Sequence, residues 1–386
     1  MKVLILGGAG FIGSRTALRL LQAGHKVVVL DAFLPQIHGR NFTQSGSAAG
    51  LVGQVDLFAG DIQELAHRAE ALEGVDAILY LAAATGTGQS MYDIQGYTRT
   101  NVMGAAVLAE QLLKLKGQIS RVVVSSTRAV YGEGAWFCPE HDRVFPSARS
   151  LESLRSGQFE ANCPFCSKPL DPSVSLESDA THPVSIYGIT KLAQEQMILS
   201  TCASAGIPAV AFRYQNVFGP GQSLKNPYTG ILSIFTQLIR TDTEINVFED
   251  GLASRDFVYI DDVVDYNVRA LTAPLTGTHV LNLGTGTRQS ILEVIAVVAE
   301  TLGKEAHYRI SGQFRLGDIR HAAADIHRLR TVLGSSHFVP FKVGVQHFVE
   351  WALGQELDTS ARTRYLNSLE EMKTLGLFEQ ARGSGS

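Results

Sequence analysis

The sequence predicts an α/β protein built on a doubly wound parallel sheet, with a smaller C-terminal lobe and a cysteine-rich insertion. Three observations carry this prediction. Short apolar runs alternate with helix-period stretches through the first 215 residues. Those runs are continuous rather than alternating in polarity, as strands buried on both faces are. A glycine-rich turn, Gly7-Gly8-Ala9-Gly10-Phe11-Ile12-Gly13, joins the first run to the first helical pattern.

Strands are expected at Lys2–Leu6, Lys26–Leu30, Val55–Ala59, Ala77–Leu81, Arg121–Ser125 and Ala209–Tyr214, with helices such as Ser14–Ala23 and Gly104–Leu115 between them. Such alternation gives parallel pairing with right-handed crossovers. The rhythm breaks between Tyr131 and Tyr187, an interval holding three of the four cysteines and six prolines. A loop of that length inside a compact domain needs something to organise it. The expected organisation is a dinucleotide-binding domain over 1–215, carrying the insertion at 133–180. A substrate lobe follows over 216–254 and 286–360. Residues 255–285 return to the dinucleotide-binding domain, and within them Val280–Leu283 returns to the main sheet. A C-terminal helix and tail occupy 361–386, and Gly383-Ser384-Gly385-Ser386 has the composition of a linker.

Composition narrows the partners. The 386 residues are 45% hydrophobic and 18% charged, with a net charge of −4 and no long basic run. Nucleic acid and anionic membrane are therefore not expected partners. No apolar stretch reaches the length of a membrane helix. The N-terminal apolar run behind Lys2 is too short for a signal peptide, so a cytoplasmic location is expected. Four cysteines in a reducing compartment are expected to be buried, catalytic or metal-bound rather than paired in disulfides.

The glycine turn points to a dinucleotide. Gly7 permits the tight turn, Gly10 a close approach to a pyrophosphate, and Gly13 close packing of helix on strand, with the helix N-terminus facing the phosphates. Glycines of this kind also occur for packing alone, so the surroundings matter. Asp31 closes the second strand, where a carboxylate accepts both ribose hydroxyls and repels a 2′-phosphate. No Lys or Arg lies between Asp31 and Gly39, which favours NAD over NADP. Asp61 and Ile62 are placed to meet the adenine, and Ala82-Ala83-Ala84 lets a cofactor lie close to the chain.

Tyr187 and Lys191 share one face of a helix that begins after Ser185. A tyrosine is a poor base at its free pKa of about 10, and a nearby cation favours the phenolate. Thr127 ends the fifth strand, where a hydroxyl can orient a substrate oxygen; capping the following turn is its alternative role.

Cys138-Pro139-Glu140-His141 and Cys163-Pro164-Phe165-Cys166 form two turns, each with two residues between candidate ligands. Three thiolates and an imidazole make a closed tetrahedral zinc site, and metal binding would order the interval. Buried free thiols or a redox pair are the alternatives. Cys202, on the helix after Lys191, is expected in the core.

Taken together, Gly7-x-x-Gly10-x-x-Gly13, Asp31, Asp61-Ile62, Leu81-Ala82-Ala83, Asn101, Ser125-Ser126-Thr127 before Val130-Tyr131-Gly132, and Tyr187-x-x-x-Lys191 resemble the extended short-chain dehydrogenase/reductases. Arg213-x-x-Asn216-Val217-x-Gly219-Pro220 and Arg255-Asp256-Phe257-Val258 are similar to its nucleotide-sugar epimerase and dehydratase branch, to about Leu329. The resemblance implies a Rossmann domain and a cofactor set of Gly7, Gly10, Phe11, Ile12, Gly13, Asp31, Asp61, Ile62, Leu81, Ala82, Ala83, Asn101 and Lys191. It implies a nucleotide-sugar substrate held by Thr127, Asn216, Arg255 and Arg315. It also implies a homodimer in which the helices around Gly104–Leu115 and Tyr187–Cys202 pair with their copies. The 4,6-dehydratases of the branch carry Thr-Asp-Glu where this chain has Thr127-Arg128-Ala129. Without those carboxyls, elimination of water lacks its acid and base. Gly88-Gln89-Ser90-Met91-Tyr92, Asn226-Pro227-Tyr228-Thr229-Gly230 and Phe248-Glu249-Asp250-Gly251 are similar to a subgroup of dTDP-L-rhamnose 4-epimerases. The expected activity is NAD-dependent 4-epimerisation of a nucleotide sugar. A 4-keto-sugar reductase is the enzymatic alternative, and a dinucleotide-sensing scaffold the non-enzymatic one.

Overall fold

Seven strands form one parallel sheet: β1 (Lys2–Leu6), β2 (Lys26–Asp31), β3 (Asp56–Ala59), β4 (Ala77–Tyr80), β5 (Arg121–Thr127), β6 (Ala209–Tyr214) and β7 (Thr278–Leu283). The computed structural model describes residues 1–38, 48–224, 226, 230–357 and 361–382. Gly39, the stretch Pro227-Tyr228-Thr229 and the tail Gly383-Ser384-Gly385-Ser386 lie outside the described residues. Across the sheet the order is β3-β2-β1-β4-β5-β6-β7. Succession therefore runs outward in both directions from β1 and β4, and the carboxyl ends of those two strands open a crevice.

The continuous apolar runs have a simple cause. Along β1, Val3 and Ile5 pack with helices α1 (Phe11–Gln22) and α4 (Ile260–Thr272), while Leu4 and Leu6 pack with α2 (Gly104–Lys114) and α3 (Ile186–Ala205). Alternate residues thus reach opposite faces, and both faces are covered. Cys202 lies fully buried in the second of these cores, as expected. Helix α1 begins at the glycine turn, three residues before its sequence-based start, because Gly10 is the extended residue that precedes it. Ser185 accepts the Gly188 N–H at 3.1 Å and starts α3, which Gly206 ends in the left-handed region.

The smaller lobe has its own apolar core, drawn from Ile231–Arg240, Ile291–Leu302 and Phe341–Leu353. Its boundary differs from the expectation. Strand Ser254–Tyr259 does not return to the main sheet; it pairs with Asn216–Phe218 and Arg288–Ser290 in a separate three-stranded sheet. The chain rejoins the main domain only with α4 and β7. The C-terminal segment forms the expected helix and adds a strand, Phe378–Gln380, that pairs with Gln313–Arg315 of the substrate lobe.

The insertion holds three short strands, Trp136–Cys138, Asp142–Val144 and Asp171–Pro172, over a small core of Trp136, Cys138, Val144, Ala161, Cys163 and Leu170. Buried charges tie it to the lobe. Arg149 bridges Glu133 at 2.9 Å and Glu249 at 2.8 Å, and Arg320, fully buried, reaches Glu160, Glu249 and Asp250 at 2.6 to 2.8 Å. Breaking one partner of such a set leaves an uncompensated buried charge. Among the described residues, no helix is long and apolar enough to cross a membrane.

Candidate active site

The crevice above β1 and β4 continues under the smaller lobe as one cavity of about 660 Å³. That size suits a small-molecule site. The glycine turn forms one end. A Cβ on Gly7 would stand 2.6 Å from Ala82 N, and one on Gly13 would stand 2.5 Å from Gly7 O, so both positions exclude any larger residue. A Cβ on Gly10 would meet only Gly7 O, at 3.5 Å, because that residue faces the cavity. No side chain among the described residues caps α1, so its first N–H groups are left for an anion at the cavity wall.

Asp31 is fixed at the end of β2. Its Oδ2 accepts the Ala9 N–H and its Oδ1 the Phe33 N–H, each at 2.9 Å. Each oxygen keeps acceptor capacity for a ribose hydroxyl. Asp61 caps the following turn through Gln63 N at 2.9 Å and lines the cavity with Ile62, Leu81, Ala82 and Ala83. These features fit NAD: an anion seat, a diol acceptor and a flat apolar wall in the order the dinucleotide needs. Asn101 is the exception. It is fully buried away from the cavity lining, accepts Ala84 N at 2.8 Å and donates to Thr190 Oγ1 at 3.0 Å. It positions the cofactor wall against α3. His38, which the sequence reading missed because it weighed only Lys and Arg, is buried with Nε2 3.5 Å from Asp31 Oδ1.

The middle of the cavity holds Thr127, Tyr187 and Lys191. Burial raises the Tyr187 phenol, while the Thr127 hydroxyl and the Arg128 guanidinium act to lower it. The Tyr97 ring meets the Tyr187 ring edge-on, 6.4 Å between centroids. Thr127 also accepts the Ala129 N–H at 3.2 Å, so it caps the turn as well as facing the cavity. Lys191 is only 2% exposed, and burial pulls its ammonium down to about 7. It donates to Ser125 O at 2.6 Å, to Ser125 Oγ at 3.2 Å and to Gln194 Oε1. Through these bonds Lys191 also braces the strand end that carries Thr127.

At the far end stand Asn216, Arg255 and Arg315. Arg255 donates to the carbonyls of Ser254, Arg320 and Ile319 at 2.7 to 2.9 Å. Arg315 pairs with Asp318 at 2.7 Å and lies over the Phe248 ring. The C-terminal helix Ala361–Thr374 completes this wall through Tyr365, Ser368, Leu369 and Met372. Its polar composition and weak apolar period gave no sequence signal for that role.

The sequence profile of the NAD dependent epimerase/dehydratase family matches residues 3–150 and 162–284. The chain belongs to this family. A dTDP-L-rhamnose 4-epimerase of Burkholderia thailandensis is 35% identical over 364 residues, covering 92% of this chain and 96% of the relative. A UDP-glucuronic acid 4-epimerase of Bacillus cereus, solved with UDP-glucuronic acid and NAD, superimposes with a TM-score of 0.74 at 26% identity, over 92% of this chain and 99% of that one. A UDP-glucose 4-epimerase of Thermotoga maritima with UDP-glucose gives 0.72 at 28% identity, over 92% and 99%. Family membership agrees with the glycine turn, the Tyr187 and Lys191 pair and the seven-stranded sheet.

In this epimerase/dehydratase protein, Asp31→Ala is expected to weaken NAD by about tenfold to a hundredfold, the scale of hydrogen bonds to a charged acceptor. The preference over NADP should narrow, because acceptor and repulsive charge leave together. Calorimetry on cofactor-free protein measures both; unchanged NAD affinity removes Asp31 from the site.

Proposed function

We propose that the protein is an NAD-dependent nucleotide-sugar 4-epimerase, with a dTDP-6-deoxyhexose as the favoured substrate. The observation that carries this reading is the order of groups along one cavity: dinucleotide turn and Asp31, then Thr127 with Tyr187, then Asn216 with two arginines. That order leaves the place of a hexose between a redox cofactor and a diphosphate. The 35% identity to a dTDP-L-rhamnose 4-epimerase supports the choice of sugar nucleotide. NAD, when bound, accepts a hydride from C4 of the sugar and returns it.

The chain's own groups do the rest. Tyr187 takes the proton of the 4-hydroxyl as that carbon is oxidised, and Thr127 orients the oxygen. Arg255 and Arg315 hold the diphosphate as guanidinium forks suit phosphate. The 4-keto sugar then turns about its phosphate link and offers its other face. Tyr187 returns the proton to the new hydroxyl. Arg128 and Ala129 supply no carboxyl for removing water, so the keto sugar is reduced rather than dehydrated. No net redox change occurs, and no added reductant is needed. None of the four cysteines is paired in a disulfide, which accords with a cytoplasmic setting.

Tyr187→Phe should lower turnover by about a hundredfold or more, the scale for a positioned acid–base group, with NAD affinity nearly intact. The check is a panel of nucleotide sugars followed by NMR without added NADH. Wild-type turnover in the variant overturns the proton path, and product that forms only with stoichiometric NADH makes the protein a reductase.

The insertion is proposed to hold one structural zinc. Cys138 Sγ lies 3.6 Å from His141 Nδ1 and 3.7 Å from Cys166 Sγ, and Cys163 Sγ lies 3.7 Å from His141 Nδ1. All four donor atoms fall within 4.8 Å of one another. Zinc with bonds of about 2.3 Å to sulfur and about 2.0 Å to nitrogen has tetrahedral edges of about 3.5 to 3.8 Å. A disulfide needs about 2.05 Å. Elemental analysis of protein purified without chelator should find one zinc per chain. Cys163→Ser/Cys166→Ser should lose it and raise KM more than it lowers kcat, and zinc retained in that variant overturns the assignment.

A homodimer is proposed through α2 and α3. Met103 just before α2, Leu113 on α2 and Ile189 on the adjacent α3 stand 54%, 56% and 49% exposed, apolar surface suited to a two-fold copy of itself. Light scattering at micromolar concentration should give twice the chain mass, and Leu113→Glu should shift it toward the monomer. A monomeric wild type overturns the dimer.

A further inference from the structure

Arg128 has entered so far only as a charge that acts to lower the Tyr187 phenol. It follows Thr127 directly and opens the short turn Arg128–Tyr131, so the backbone fixes it beside the reacting hydroxyl. Its Nε donates to Asn216 Oδ1 at 2.7 Å, and the side chain lines the cavity. Its two Nη groups have no hydrogen-bond partner among the described residues.

The three cavity arginines differ in what neutralises them. Arg315 has Asp318 at 2.7 Å. Arg255 has only backbone carbonyls, and Arg128 only an amide oxygen. Among the described residues, neither of these two has a carboxylate within ion-pairing distance. Burial, and then the neighbouring Arg255 charge, pull Arg128 down to about 9. Its partner Asn216 pairs with Phe257, two residues past Arg255, while Thr127 precedes it in the chain, so Arg128 stands between the anchoring end and the reacting end.

Two like charges in one partly desolvated wall are unfavourable unless an anion lies between them. A hexose hydroxyl is neutral and leaves that repulsion in place. The cofactor's pyrophosphate belongs at the start of α1, at the opposite end of the cavity. Asp318 is already engaged by Arg315. With Nε held by Asn216, the Nη pair of Arg128 presents the planar fork that matches two phosphate oxygens.

We propose that Arg128 and Arg255 together clamp the sugar-side phosphate of the substrate, making Arg128 the residue that selects a diphosphate-linked sugar. The proposal rests on the nucleotide-sugar reading above. It also supplies what the turning step requires. A phosphate gripped by two charges is a fixed hinge, and the ring beyond it stays free to present either face to Tyr187.

The test titrates NAD-loaded protein with dTDP, dTMP, UDP and UMP by calorimetry, for wild type, Arg128→Met and Arg128→Lys. With whichever base binds, Arg128→Met should lose about tenfold to a hundredfold in diphosphate affinity. Monophosphate affinity should fall by less than about threefold. Arg128→Lys keeps the charge and loses the fork, so it should recover part of the diphosphate preference. Should the methionine variant not fold, the lysine variant decides: a diphosphate-to-monophosphate affinity ratio equal to wild type overturns the clamp. Equal losses for mono- and diphosphate in Arg128→Met, or none, overturn it too. A wild type that binds none of the four nucleotides fails earlier, at the nucleotide-sugar reading itself.

Discussion

The first turn packs against the end of the fourth strand too closely to admit a side chain. Gly7 N donates to Leu30 O and Ala82 N to Leu6 O, each at 2.8 Å, so the ends of three strands meet at a single point. The Cβ distances at Gly7 and Gly13 show that no side chain fits there. That contact sets where α1 begins, where its N-terminus points and how deep the crevice is. Asp31, Asp61 and Ala82 then face the crevice because each lies at or just past the end of a strand registered against β1 or β2. The cofactor end of the site is thus a consequence of backbone packing, with side chains added at its rim.

The substrate end is built differently, from charge. Arginines line it, and a set of buried ion pairs between insertion and lobe stands behind them. Arg149 and Arg320 neutralise Glu133, Glu160, Glu249 and Asp250, and by doing so join insertion and lobe. Asp318 neutralises Arg315. Arg128 and Arg255 are left facing the cavity with neutral partners. Desolvation makes that costly, and the cost is what lets the wall discriminate an anionic substrate from a neutral sugar.

Much of the sheet was legible because its signal is local. A strand buried on both faces must be apolar throughout, and the run Val3-Leu4-Ile5-Leu6 shows it directly. The glycine turn and Asp31 were legible for the same reason, since each residue type answers a backbone or ligand demand at its own position. What escaped the sequence depends on contacts between distant segments. Strand Ser254–Tyr259 looks like any buried strand, and only its partners place it in the lobe. Asn101 matches a cofactor motif, yet its amide is engaged by Ala84 and Thr190. Lys191 reads as the neighbour of Tyr187 on one helical face, but burial turns its ammonium toward Ser125 and Gln194. The C-terminal helix carries too weak an apolar period to announce the cavity wall it forms.

The insertion shows how a peripheral element can bear on binding without touching the substrate. Trp136, two residues before Cys138, packs on the His321 ring at 5.4 Å. His321 Nδ1 pairs with Ser254 Oγ at 2.7 Å, and Ser175 N donates to Ala323 O at 2.8 Å. The segment from Ile319 to Ala324 is therefore held from the insertion side. Its Ile319 and Arg320 carbonyls are the acceptors that orient Arg255. A guanidinium held by carbonyls points only as well as those carbonyls are fixed. The small core of the insertion contains six residues, two of them cysteines, which is little apolar area to hold such a brace rigid. A tetrahedral ion at Cys138, His141, Cys163 and Cys166 would add that rigidity directly, and its effect would reach Arg255 through packing and hydrogen bonds alone. The glycine turn lies outside this chain of contacts, so ordering of the insertion acts on the diphosphate end of the cavity and not on the dinucleotide end.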